Sequence, residues 1–445
     1  MRQTPLLAAA LLVAGAVARA DTVEVTSTTM VNAEQQTRGG AAGQKLDTVT
    51  VVPAYEIVTI TARDVKSSFA DDLRLVVSGW GSWDLTSDHR WDNGTSQAGT
   101  GDLGTAYVQG QVFARHLQLR LGREAVMTGV GRMLQIDGGE AIAYLGAGLK
   151  VSGYAGAPVS QRFQSRGTEV SWNPTGGDLA YGGRVGWSFV LPGFPGRGFD
   201  LGVSANMVQN GTKDPVRQEA GADARILLLE NLTLSGFGAY SIYDQRISEG
   251  TVAATWAALR KLRLTADFRF VEPGLLLARN SILSVFSAST RKEVGGGVEY
   301  EFSRGLTGGA DYHMIVEPGA VYGKSFYYGG DGAARLIWTK ATTQAGAELD
   351  VVEAYDNGYF GGRLFGKRTF GKFFAAADVL THFYREKVNG QTYDLTGTLT
   401  AGYDLARGFA AVISGGAGVT PYFEQTFSIM AKLVYNQTYS TKEVR

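Results

Sequence analysis

The chain has 445 residues, with 42 Lys plus Arg against 42 Asp plus Glu, four histidines and no cysteine. So even a charge balance argues against a nucleic-acid partner, and the lack of cysteine excludes disulfides and thiolate metal sites. Sixty glycines, 20 tyrosines, 21 phenylalanines and seven tryptophans beside only ten prolines suit many twisted strands better than helices.

Residues 1–20, MRQTPLLAAALLVAGAVARA, read as a secretory signal peptide: Arg2, an apolar run from Leu6 to Val17, then an Ala18-Arg19-Ala20 cleavage site. No later apolar run approaches the roughly 18 residues of a spanning helix, so any membrane segment must be a strand. Residues 21–71 are expected to be a flexible or periplasmic lead: 21 to about 45 are polar and glycine-rich, and the strand character of Asp47 to Arg63 is broken by Pro53. Residues 72–436 carry about 20 strand-like runs with no compositional break, and 437–445 form a carboxy-terminal tail.

The grammar of these runs is clearest between Asn231 and Val271. Leu232, Leu234, Gly236, Gly238, Tyr240 and Ile242 fall on one parity and Thr233, Ser235 and Ser241 on the other. Farther on, Leu262, Leu264, Ala266, Phe268 and Phe270 oppose Arg263, Thr265, Asp267 and Arg269. Period two means strands with one apolar and one wet face. A soluble antiparallel sheet reads the same way, so the connections must decide.

They sort by length. Corners after alternate runs are short and often charged, as at Arg115-His116, Glu230-Asn231, Arg260-Lys261, Ser303-Arg304, Lys340-Ala341 and Gly371-Lys372. Several intervening connections, 87–101, 157–177 and 272–290, are long. Short turns on one side and long loops on the other point to an outer-membrane barrel. A run length agrees: Tyr393 and Tyr403 share the outward parity ten residues apart, which at about 3.4 Å per residue and a tilt near 40° spans roughly 26 Å of barrel axis. Tyr181, Trp187, Tyr240, Trp256 and Tyr435 join them as candidates for aromatic girdles.

The last run, TFSIMAKLVYN, with Phe427, Ile429, Ala431, Leu433 and Tyr435 outward, resembles the terminal strand of Gram-negative outer-membrane proteins, although ten residues follow Tyr435. LQLRLGREAVMTGVGRMLQIDGG is similar to the LRLGRQ…DG pattern of porins of the substrate-channel and alginate-export type, with Glu124 where that pattern has glutamine. The resemblance implies that Arg120, Arg123, Arg132 and Asp137 stand near a constriction.

The inward parity supplies the remaining pore-lining candidates: Arg217, Glu219, Asp223, Arg225, Arg263, Asp267, Arg269, Glu299, Asp311, His313, Asp331, Arg335, Glu348, Asp350, Arg363, Lys367, Asp378 and His382. Glu293, Glu301, Asp394 and Lys432 share it. Charges of both signs on one face need water or mutual pairing. Of the histidines, His313 has Asp311 and His382 has Asp378 on its own parity, one part of a base-and-orienter pair. A lipid-cleaving barrel would need its histidine on the lipid side, so no catalytic residue is assigned. No HExxH or DxDxDG motif is present, and neither a metal nor a cofactor is expected.

The expectation is an all-β protein, a transmembrane antiparallel up-and-down barrel of about 18–20 strands in the outer membrane. It would be a non-enzymatic, porin-like channel for passive diffusion of small hydrophilic solutes through a mixed-charge lumen. Its partners would be outer-membrane lipid, the barrel-assembly machinery and the solutes, with homo-oligomerisation left open. A plugged TonB-dependent transporter is disfavoured because only about 50 residues precede the strands. The rival readings are a non-conducting structural or adhesive surface barrel and a fatty-acid-type transporter of hydrophobic compounds; the apolar run in 272–290 is the hint for the second.

Overall fold

A computed structural model describes residues 20–39, 45–86, 99–127, 129, 133–159, 177–190, 198–272, 275, 290–318, 326–354, 357–406 and 408–440. The strands are β1 (Ala20–Gly39), β2 (Lys45–Val51), β3 (Pro53–Val65), β4 (Asp71–Asp84), β5 (Gly99–Val112), β6 (Leu117–Met127), β7 (Met133–Tyr144) and β8 (Leu149–Pro158). There follow β9 (Leu179–Val190), β10 (Gly198–Gln209), β11 (Pro215–Leu229), β12 (Leu232–Ser241), β13 (Arg246–Leu259), β14 (Leu262–Val271), β15 (Arg291–Ser303) and β16 (Leu306–Pro318). The wall is completed by β17 (Phe326–Lys340), β18 (Thr343–Glu353), β19 (Tyr359–Phe370), β20 (Phe373–Val388), β21 (Gln391–Asp404), β22 (Phe409–Val419) and β23 (Phe423–Ser440).

From β3 onward each strand pairs antiparallel with the next, and β1 closes the ring on β23 in a register running from Thr22↔Ser440 to Arg38↔Phe423. Both β2 and β3 pair with β1, so they form one wall strand interrupted at Val52. The result is a closed up-and-down barrel of 22 strands. An even count returns Ser440 to the end of the barrel that holds Ala20. That end also carries the short corners at 113–116, 145–148, 230–231, 260–261, 304–305, 341–342 and 371–372. Connections 85–98, 159–178 and 272–290 lie at the opposite end, although 242–245 and 389–390 there are short.

The count departs from the expected 18–20, and the amino-terminal segment is the reason. From Asp71 onward 20 strands are present. The other two come from residues expected to be a flexible or periplasmic lead, and the tail was likewise expected to begin at 437, whereas β23 runs to Ser440 against Thr22. Two local features hid these strands. On β1 the outward parity Val23, Val25, Val31 and Ala33 is interrupted by Ser27 and Thr29, whose hydroxyls donate to the outward Glu56 carboxylate, Ser27 at 2.6 Å. In β3, Pro53 stands at the start of a strand, where a missing N–H costs least. Val23, Ala62, Val65 and Leu75 pack together across this seam.

The wall obeys its parity elsewhere. On the outer face Leu121, Val203, Val252, Leu364 and Leu399 are each 60% exposed or more, the inverse of a soluble core and the expected state of side chains that lie in hydrocarbon. For 22 strands spaced about 4.8 Å apart and tilted about 40°, the backbone ring is roughly 44 Å across. Side chains alone cannot fill such a ring.

Candidate functional site

The inner face carries charges arranged as cross-strand groups. Arg363 on β19 sits between Asp378 of β20, whose carboxylate accepts from Nε at 2.9 Å, and Glu348 of β18 at 3.2 Å. Arg184 on β9 donates from Nε to Asp223 of β11 at 2.9 Å and reaches Asp200 of β10 at 3.4 Å. Arg335 meets Glu299 at 3.1 Å, Arg269 meets Glu249 at 3.7 Å, and Lys367 lies 4.8 Å from the centre of the Phe374 ring. Arg217, Arg225, Arg263 and Asp311 share this inner parity. Glu219 is buried, with the Ser248 hydroxyl 3.5 Å away.

The histidines are partnered across strands and not along them. His313 Nε2 is 3.2 Å from Asp267 on β14 and Nδ1 is 3.8 Å from Asp331 on β17, while Asp311, expected beside it, is not its partner at these distances. His382 Nδ1 is 2.9 Å from Asp394 on β21, and its Nε2 is 3.9 Å from Asp350 on β18; Asp378, its expected neighbour, is held by Arg363. Tyr384 donates to the same Asp394 carboxylate at 2.6 Å, and Tyr359 packs edge-on to His382 with ring centres 4.8 Å apart. A chain listing of one-strand neighbours misses such groups, because residues adjacent on a ladder are far apart in sequence. Arg184, Asp200, Tyr359 and Tyr384 were missed for that reason; the charge on the wet parity of β9 was the available signal.

The remaining candidates converge on a feature that the parity does not foretell. The ladder between β5 and β6 stops at Ala106↔Arg123, yet β6 stays paired with β7 as far as Met127↔Met133. Beyond Arg123 the β6–β7 hairpin leaves the wall and turns into the lumen. Val126 and Ile136 are buried against Tyr154, Ala180 and Val208 on the inner parities of β8, β9 and β10. Gly129, in the connection between β6 and β7, lies against Ser204 of β10 so closely that a side chain there would collide with it. The pivot is Gly122, whose φ of +132° belongs to glycine and whose missing Cβ leaves room for the Ala106 carbonyl.

Charges hold the hairpin. Arg120 reaches the fully buried Glu124 at 3.0 Å and Glu140 at 3.3 Å, and stacks over Tyr107. Arg123 makes a two-pronged contact with Asp137, 2.7 and 2.8 Å, and its Nη1 donates to the Leu103 carbonyl at 2.9 Å and lies 3.3 Å from Asp102. Three of the four residues implied by the porin resemblance are thus at the inturned hairpin; Arg132 lies outside the described residues, as does the apolar run in 272–290 apart from Leu275. Beside the hairpin is a cavity of about 680 Å³, lined by Arg120, Glu140, Arg184, Asp223 and Phe237, with Ala125 and Met127 of the hairpin.

No protein-family model matches the sequence, and no curated protein matches it either. Solved structures match in shape. A mutant of the ferric enterobactin receptor PfeA of Pseudomonas aeruginosa superposes at a TM-score of 0.55 with 12% identity over 93% of this chain and 80% of that one. The P pilus usher PapC translocation pore gives 0.51 and 9%, covering 94% of this chain and 100% of that one. OccAB4 of Acinetobacter baumannii gives 0.45 and 11%, covering 94% and 98%. This chain has the fold of a Gram-negative outer-membrane β-barrel.

The outer face of this barrel carries aromatic residues toward both ends of the wall. Trp187, Trp256, Tyr403 and Tyr435 lie toward the end with the short corners, and Tyr181, Tyr240 and Tyr393 toward the other. Trp187 stacks on Phe189 at 4.8 Å, and Tyr435 meets Phe409 at 4.5 Å. Among the described residues of the barrel, no group of His, Asp and Glu is arranged to hold a metal ion.

Proposed function

We propose that this barrel is a non-enzymatic, porin-like channel that lets small hydrophilic solutes diffuse through an aqueous lumen with mixed-charge walls. The observation that carries the reading is the combination of a 22-strand ring with arginine–carboxylate and histidine–carboxylate groups facing its interior. These groups pair with one another and many stay partly exposed, as charges do on a wall that water reaches. The inturned β6–β7 hairpin narrows the route, and Arg120, Arg123 and Asp137 at its base are the candidates for solute contact. The inner charges on β14 to β21 would tune ion preference.

Residues 1–20 serve in this reading as a cleaved signal peptide, with the short corners in the periplasm. The aromatic residues at the two ends serve as interfacial girdles. Assembly by the barrel-assembly machinery follows from the terminal strand pattern, and homo-oligomerisation is compatible with it.

The test is single-channel recording of the refolded protein in a planar bilayer under a salt gradient. Discrete openings with a small reversal potential are expected from walls of both signs. A folded, heat-modifiable barrel that never conducts would sink the channel reading and favour a structural or adhesive barrel.

A further inference from the structure

The inturned hairpin carries an acidic group into the seam where it docks. Glu124 is fully buried, and among the described residues neither of its carboxylate oxygens accepts a hydrogen bond. Arg120 lies 3.0 Å away, but it donates from Nε to Gln109 of β5 and is shared with Glu140 of β7 at 3.3 Å. One guanidinium therefore serves two carboxylates, and one of them is cut off from water. A buried carboxylate without donors is costly when ionised and far less so when it holds a proton.

The surroundings supply no further counter-charge. Among the described residues Glu124 has no ion-pair partner other than Arg120. Arg123 is committed to Asp137 and Asp102, Arg184 of β9 to Asp223 and Asp200, and Lys150 of β8 stands over the Tyr144 ring. Val126 and Ile136 pack on Tyr154 of β8, and the charge that faces Tyr154 is the Glu219 carboxylate of β11. Glu124 lies inside the lumen, beyond the point where β6 leaves the membrane-spanning wall. Burial raises its carboxyl to about 7, with Arg120 pulling it down and Glu140 pushing it up.

The β6 edge of the hairpin is also the edge that can move. Its ladder to β5 ends at Ala106↔Arg123, whereas β7 stays laddered to β8 as far as Ile136↔Pro158. Gly122, with its φ of +132°, is the backbone position at the base of that edge.

We propose that the β6 edge of the hairpin is a proton-operated gate, which stays docked across the lumen while Glu124 holds a proton and lifts when Glu124 is ionised. Once lifted, the carboxyl meets water and regains its ordinary acidity. A carboxyl that binds its proton more tightly docked than free favours docking at low pH, and that contribution is lost as pH rises to about 7. The effect of the gate on solute passage rests on the channel reading; the docking equilibrium does not.

The absence of native cysteine allows one thiol to report docking. Val126→Cys, in the refolded full chain in detergent micelles, is reacted with a small water-soluble maleimide. Its rate is divided by that of Arg115→Cys at an exposed corner, which removes the pH dependence of the thiol reaction itself. The ratio should rise about tenfold or more between pH 5.5 and 8. With Glu124→Gln added, it should stay at its low-pH value throughout. With Glu140→Gln added, the rise should shrink, because Arg120 then serves Glu124 alone. A ratio that does not change with pH, or that rises equally in the parent and in Glu124→Gln, would overturn the gate. If Glu124→Gln fails to reach the heat-modifiable folded form, Glu140→Gln decides, and a rise equal to the parent's overturns the gate as well. Conductance of the parent chain is recorded separately. A barrel whose labelling follows pH but which never conducts keeps the docking device and loses the channel; a conducting barrel with flat labelling does the reverse.

Discussion

Arg363 shows how single residues on this wall divide their work. Its guanidinium holds two carboxylates from neighbouring strands, yet its side chain is 42% exposed to the lumen. Exposed ion pairs are worth about 0–1 kcal/mol, so Arg363→Leu should change unfolding free energy by about 1 kcal/mol or less. It should move the reversal potential measurably toward cations, because Asp378 and Glu348 lose their counter-charge. A large loss of stability with unchanged ion preference would mean that the group is structural. Gly122 is the opposite case. Any side chain there meets both a positive φ and the Ala106 carbonyl, a conflict worth about 1–3 kcal/mol or more. Gly122→Val should lower the yield of folded, heat-modifiable protein, or free the hairpin base; it should not leave both as they are.

At the scale of elements the β6–β7 hairpin is the part with a specific task. Its buried face, Glu124, Val126 and Ile136, is the continuation of the inner parity of β6 and β7, so the same alternation that makes a wall strand also makes a face that can pack inside the barrel. Replacing residues 124–136 by a short glycine-containing turn should raise single-channel conductance severalfold while the folded fraction persists. An unchanged conductance would place the narrowest point elsewhere. The histidine groups belong to this scale as well. Asp267, His313 and Asp331 lie on β14, β16 and β17, and Asp350, His382 and Asp394 on β18, β20 and β21, so each histidine meets a carboxylate of the next strand and reaches across one strand to another.

For the whole molecule, closure through β1 and β23 makes the amino-terminal strands indispensable to the wall. Removing residues 20–65 deletes two strands and leaves β4 and β23 as open edges, which a bilayer does not tolerate. Such a chain should fail to fold in detergent or lipid, whereas a true flexible lead could be removed without loss. The ring size also sets the salt response. Charges on a lumen wall tens of ångströms across act over a Debye length of about 10 Å at 0.1 M salt, so ion preference should weaken steadily as salt rises.

The fold class was legible because its signal is local and repeated. Period-two alternation, short corners at Glu230-Asn231 or Arg260-Lys261, and outward aromatics such as Trp256 and Tyr403 each depend on a few adjacent residues. The inward charges could be assigned to a face for the same reason, but their partners could not: which carboxylate meets His313 is fixed by register between strands whose neighbours lie 46 residues apart. Ser27, Thr29 and Glu56 hid the closing strands by placing polar groups on the outward parity, where they satisfy one another across the β1–β3 ladder. Alternation, together with the sorting of short corners from long loops, determined that this chain is an antiparallel barrel with one apolar and one charged face, because the parity of a strand and the length of a corner are properties of its own sequence. Only the tertiary structure decided that there are 22 strands, that β1 meets β23, and that the wall breaks beside Arg123. Each of those depends on which strand edge is left to pair with which, and an edge carries no mark in the sequence.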